Sequence, residues 1–239
     1  KQIKKNYQWF KIPKYIEVDE VKQGIEIFKK FRQKHPNENF VIRLEDCYLI
    51  ESKKFRWKGL IIETKKVYVK YGSNGPISVI YKDGVKTIEE HSFYGCTGII
   101  SVTFPESLET ISDSAFNKCT SITSLTFPAR LTTIDRYAFY GCFRLISVTF
   151  PEGLRTIELG AFSCCIDLIS VIFPEELEII DESAFAGCTS ITSLTFPEGL
   201  RKIVKWAFYE CTRLTEVRIS KNTNVAKNAF DKHVKIVRY

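Results

Sequence analysis

The chain has 239 residues, 44% hydrophobic and 26% charged, proportions that exclude wholesale disorder. No apolar run approaches the ~18 residues of a membrane helix; the longest are pieces such as Ile169-Ser170-Val171-Ile172-Phe173, so no membrane insertion is expected of this fragment. The net charge of +7 is unevenly spread, with 19 Lys/Arg against 10 Asp/Glu in residues 1–85 and 16 against 18 in residues 86–239. A basic first unit joined to a near-neutral remainder is the simplest division. No nucleic-acid motif accompanies the basic charge, so nucleic acid is not an expected partner, and a solvated Lys-rich face is the plainer reading. The chain starts at Lys1 and contains no Met, as a trimmed product would, and a missing signal peptide then says nothing about compartment.

Residues 1–85 read as a small α+β unit. Val18, Val21, Ile25 and Phe28 recur at helical spacing, widened by Ile27 and Phe31. This predicts a helix over 18–34, capped by Asp19 and stopped at His35-Pro36. Strands are expected at Phe40–Leu44, Tyr48–Ile50, Leu60–Glu63, Val67–Tyr71 and Ile77–Tyr81, with turns at Ser73-Asn74-Gly75-Pro76 and Lys82-Asp83-Gly84. Its position suggests a cap on the remainder of the chain.

From Thr87 the sequence restarts every 23 residues, giving six units over 86–239 and a shortened seventh, Val225–Tyr239. Phe93, Phe116, Phe139, Phe162, Phe185 and Phe208 recur at this period, and Phe230 follows at 22; Phe104, Phe127, Phe150, Phe173 and Phe196 form a second file, each before Pro. Twelve of the 18 Phe residues thus fall into two columns. Ile111 and Leu108 head two aliphatic columns of the same period. One coil cannot bury such side chains alone, but coils stacked about 4.8 Å apart merge them into a continuous core. In Leu145–Phe150, Leu145, Val148 and Phe150 point inward while Ser147 and Thr149 point outward; Pro151 then ends the strand. The expected fold is an α/β-type solenoid with parallel short strands, a short strand or tight turn on each return, and little helix. Val234–Tyr239 should close it.

The unit Ala115-Phe116, Cys119, Ile122, Leu125, Phe127-Pro128 and its neighbours resemble the BspA-like leucine-rich repeat family, the Treponema pallidum type, whose 23-residue units carry an AF…C…L…I…LP pattern. The resemblance covers residues 87–239 and departs in the sixth unit, where Ile219-Ser220 replaces Phe-Pro. It implies a leucine-rich repeat array displayed at the cell surface or outside the cell by a microbe or protist, adhering to host matrix proteins or neighbouring cells.

Six of the eight Cys, at 96, 119, 142, 165, 188 and 211, form another column. Nothing has the clustered spacing of a metal site, and parallel side chains suit a disulfide badly; a ladder of buried thiols beside the Phe file is expected. Cys164 should face solvent, and Cys47 stands alone. His35, His91 and His233 have no Ser or Asp arranged with them, acidic pairs dedicated to proton transfer are absent, and Gly95, Gly141 and Gly187 sit singly at turns. No enzyme activity, catalytic residue, metal or cofactor is therefore expected.

Two outward columns remain as a candidate protein-binding face: Ser147, Ser170, Ser193 and Glu216 in one, Thr149, Ile172, Thr195 and Arg218 in the other. Hydroxyl and β-branched residues also simply suit a parallel ladder, yet such a face is flat, with charge gathered at Glu216 and Arg218. The competing surface is aromatic, Tyr137 and Trp206 in one column and Tyr140 and Tyr209 in another. Such rings stack on sugars, anchor proteins or seal the core edge. A carbohydrate-binding module and a structural spacer within a longer polypeptide are the alternatives.

Overall fold

A computed structural model describes residues 84–239 together with residues 15–18, 41–44, 61–64, 67–71 and 77–81. Among the described residues five strands precede the array: β1 (Tyr15–Val18), β2 (Val41–Leu44), β3 (Ile61–Thr64), β4 (Val67–Tyr71) and β5 (Ile77–Tyr81). The last four fall within a residue of their expected places. The expected strand at Tyr48–Ile50 and most of the expected helix lie outside the described residues. Val18, read as the start of that helix, instead ends β1, which pairs in parallel with β2. Its β-branched side chain fits a strand as well as a helical stripe, and the spacing alone did not distinguish them.

Beyond residue 84 the chain winds as parallel coils, and the described residues contain no helix. Each coil contributes two strands. The longer ones are β7 (Ile99–Thr103), β9 (Ser124–Thr126), β11 (Ser147–Thr149), β13 (Ser170–Ile172), β15 (Ser193–Thr195), β17 (Glu216–Ile219) and β19 (Lys235–Arg238). The two-residue ones are β6 (Thr87–Ile88), β8 (Thr110–Ile111), β10 (Thr133–Ile134), β12 (Thr156–Ile157), β14 (Ile179–Ile180), β16 (Lys202–Ile203) and β18 (Asn224–Val225). Within each set, paired neighbours run parallel and in register, as in Val148 with Leu125 and Val171. β5 pairs with β7, so the N-terminal strands extend the first coil's strand face; β19 closes the far end on β17.

The turn after each of β7, β9, β11, β13 and β15 follows from its Phe-Pro. Pro cannot donate, but its carbonyl accepts the N–H of the Leu three residues on, at 3.1 Å for Pro105–Leu108, Pro128–Leu131 and Pro151–Leu154. Inside, the two Phe files form a herringbone. Phe116, Phe139 and Phe162 stack at 5.3 and 5.2 Å with planes within 16° of parallel, while Phe150 meets Phe162 edge-on at 5.2 Å and 83°. Both geometries suit the ring quadrupole.

The sequence does not announce a third ladder, beside the Ala-Phe pairs. Each coil places two residues in the left-handed region, four positions apart: His91 and Gly95, Ser114 and Lys118, Tyr137 and Gly141, Gly160 and Cys164, Ser183 and Gly187, Trp206 and Glu210. Such a conformation disfavours a side chain with a Cβ. Its reward is visible in the next coil. The N–H groups of Ser114, Phe116 and Lys118 reach the carbonyls of Arg136, Ala138 and Tyr140 at 2.9, 2.8 and 2.7 Å, and the pattern repeats along the stack. The two residues turn their amides along the stacking direction, where each pairs with a carbonyl of the next coil.

Candidate interaction face

The long strands set the outward columns side by side. Ser147 lies between Ser124 and Ser170, and Thr149 between Thr126 and Ile172; Ser193 pairs with Glu216, and Thr195 with Arg218. All are exposed except Ser147 and Glu216, which are half-buried. The ladder is interrupted between β13 and β15, so the eight candidate residues fall into two groups of four. In the second group the Glu216 carboxylate accepts from Lys235 Nζ at 2.9 Å, which neutralises it. Among the described residues the Arg218 guanidinium has no ion-pair partner, leaving it a free charge on that strand.

Ile172 is not alone. Exposed at 57%, it stands beside Ile169 at 58% and Ile146 at 48%, with Phe143 and Ile166 also exposed. These five occupy two consecutive coils. The other four were not anticipated as a group, although a signal was present: Ile146 and Ile169 share a column with Thr123, Thr192 and Thr215, and Phe143 and Ile166 share one with Thr120, Thr189 and Thr212. Positions that hold Thr in other coils face water, so aliphatic side chains there are surface, not core. Val171 and Phe173 are also only half-buried at this point of the array.

The aromatic residues do not form one patch. Tyr137 and Tyr140 meet edge-on at 6.1 Å, and Trp206 carries Lys205 Nζ 4.7 Å above its ring with Tyr209 in the next turn. Three coils separate the pairs, roughly 14 Å at the spacing of paired strands. Tyr137 lies across Gly160 of the following coil, where a Cβ would come within 2.5 Å of the ring. Hydrogen bonding to the Cys164 thiol is the main influence holding the Tyr140 hydroxyl above its ordinary pKa, with the thiol's charge and partial burial adding to it. Cys164, expected at the surface, is half-buried here; His91 is exposed. Cys47 lies outside the described residues.

The thiol column is buried from Cys119 onward, with Cys96 half-buried. Burial raises the pKa of Cys119, Cys142 and Cys188 well above the usual thiol range, so these groups are neutral hydrogen-bond donors. Among the described residues no group of three His, Cys, Asp or Glu side chains is placed to hold a metal ion, and no helix is long and apolar enough to cross a membrane.

A family model of the BspA type leucine rich repeat region, in six copies, matches residues 71–176 and 110–237. The chain belongs to that family. Among crystal structures, this BspA-type chain is similar to a Treponema pallidum leucine-rich repeat protein at 27% identity and a TM-score of 0.55, over 59% of this chain and 77% of that one. A Eubacterium ventriosum leucine-rich repeat protein superposes with a TM-score of 0.64 at 19% identity, over 84% of this chain and 60% of that one. A Faecalibacterium prausnitzii protein described as a leucine rich cell surface protein matches at 18% identity and a TM-score of 0.49, over 85% and 71%. Comparison with curated proteins gives no match.

Proposed function

We propose that this BspA-type array is a non-enzymatic protein-binding module, working in adhesion at a microbial cell surface. The observation that carries the reading is the outward pairing of Ser193 with Glu216 and Thr195 with Arg218, whose guanidinium has no ion-pair partner among the described residues. Short side chains leave the strand backbone open to close approach, and one desolvated Arg supplies the kind of anchor that protein interfaces favour. Binding there would engage Ser193, Thr195, Glu216 and Arg218 as one group, with Ser147, Thr149, Ser170 and Ile172 extending it. A host matrix protein is the partner the family resemblance implies. We also propose that residues 1–85 cap the array, a role supported by the pairing of β5 with the first coil, since a bare solenoid end exposes unpaired edge.

Immobilised host matrix proteins, presented to the chain and to its Arg218→Glu variant, test the reading. Saturable binding weakened about tenfold or more by the reversal is expected for a buried charged anchor. Binding to none of the panel, or binding untouched by the reversal, contradicts it. The carbohydrate alternative rests on Trp206, exposed at 41% beneath Lys205; saccharide binding on a glycan array that Trp206→Ala abolishes would favour it.

A further inference from the structure

The exposed apolar residues of the third and fourth coils are flanked by two charges of opposite sign. Arg144 follows Phe143, and Asp167 follows Ile166 in the equivalent position one coil later. Both are exposed, and among the described residues neither has an ion-pair partner. The coils on either side hold no such pair: in the same column Ser121 precedes and Ser190 follows. The coils themselves are tied together, with Asp167 N–H donating to Phe143 C=O at 3.1 Å and Ile169 N–H to Ile146 C=O at 2.9 Å, so the patch is a fixed surface.

Its arrangement is self-complementary. A two-fold axis lying in the face, parallel to the strands and midway between the two coils, reverses the stacking direction and keeps the strand direction. It sets each third coil against the fourth coil of a second copy. Arg144 then meets Asp167 of that copy and Asp167 meets its Arg144, while Ile146 opposes Ile169 and Phe143 opposes Ile166. The same patch serves both partners, as an isologous interface requires, with an apolar centre and a charged rim. Sliding by one coil would set Arg144 against Arg144, or Asp167 against Asp167, with the other coil's apolar side chains against Thr120 and Thr123 or Thr189 and Thr192. The pattern thus specifies one register.

We infer that the chain forms a face-to-face homodimer through this patch, its two arrays antiparallel. This goes beyond the adhesion reading and does not rest on it: the dimer would cover Ser147, Thr149, Ser170 and Ile172, leaving partner binding to the group at Ser193, Thr195, Glu216 and Arg218.

Sedimentation velocity on the 239-residue chain, from about 1 to 100 μM, is the test. A concentration-dependent dimer is expected. Ile169→Asp, at a side chain already exposed, should leave a monomer with an unchanged melting profile. Arg144→Asp and Asp167→Arg should each weaken association about tenfold by facing like charges across the axis, and R144D/D167R together should restore it. A monomer throughout, or a dimer indifferent to both Ile169→Asp and the charge reversals, overturns the inference. So does failure of the double reversal to recover association. A chain that stays monomeric yet loses a foreign protein partner on Ile169→Asp would assign the patch to that partner and overturn the dimer as well. None of these results bears on Arg218→Glu.

Discussion

Cys119 Sγ donates to the carbonyl of Phe93, 3.2 Å away in the preceding coil, and the same bond recurs from Cys142 to Phe116, Cys165 to Phe139, Cys188 to Phe162 and Cys211 to Phe185. Each of these carbonyls already accepts an N–H from the Cys three residues on, Cys96 at 3.0 Å and Cys119 at 3.1 Å in the first two. The thiol takes up the second lone pair. A side chain this small fits beside stacked rings, and its proton bridges coils where a methyl group could not.

That role makes the fold alkali-sensitive. Burial raises these thiols above their ordinary pKa of about 9, whereas in the unfolded chain they ionise normally. A raised folded-state pKa gives stability that is whole below the unfolded value and is lost as pH climbs above it. Each neutral thiol should remove roughly 1 kcal/mol of stability per pH unit beyond 9. Urea unfolding at pH 7 and pH 10 should therefore show a steep loss, smaller in Cys142→Ala. Equal stability at the two pH values would contradict the assignment.

Phe162 touches Phe139 and Phe185 in its own file and Phe150 in the other. Phe162→Ala should cost about 3–5 kcal/mol. Phe230, whose file neighbour lies on one side only, should cost less on the same substitution. Denaturant midpoints of the two variants check the ranking.

The left-handed positions predict opposite signs for opposite substitutions. Glu210 is exposed at φ 59°, so Glu210→Gly should be neutral or stabilising by up to about 1 kcal/mol as strain is relieved. A Cβ added at Gly141 would meet only ordinary contacts, whereas one at Gly160 would strike the Tyr137 ring. Gly160→Ala should therefore be the more destabilising of the two and should shift Tyr137 fluorescence or its NMR resonances. Thermal melts compare them.

Asp135, Glu158 and Asp181 hold equivalent places in consecutive coils. Partial burial, followed by the charges of Asp181 and Asp135, raises the Glu158 carboxyl above its usual pKa. For an acid this means stability present below the unfolded pKa and lost as pH rises through the folded one. Glu158→Gln should be more stable than the parent at pH 7, with the difference vanishing near pH 4.

The columns made the coil legible: Phe93 to Phe230, the Phe-Pro turns and the buried Cys each announced themselves by recurrence, because stacking repeats every requirement at every coil. What escaped was whatever recurs in conformation but not in residue type. His91, Ser114, Tyr137, Gly160, Ser183 and Trp206 look like a variable surface column, yet all share a positive φ, imposed by an amide that must reach the next coil. Likewise the apolar patch stands within columns that carry Thr in most of the other coils, and averaging over the repeat hides it. Val18 failed for another reason, since a β-branched residue at the head of an apolar stripe fits either a strand or a helix.

A pair of double-mutant cycles addresses the stacked core most directly. Phe139 and Phe162 meet face to face across one coil boundary at 5.2 Å, whereas Phe116 and Phe185 stand three coils apart. Truncating each pair to Ala should give a coupling of about 1 kcal/mol for the first and none resolvable for the second, as a nearest-neighbour stack requires. Equal couplings, or none between Phe139 and Phe162, would contradict it.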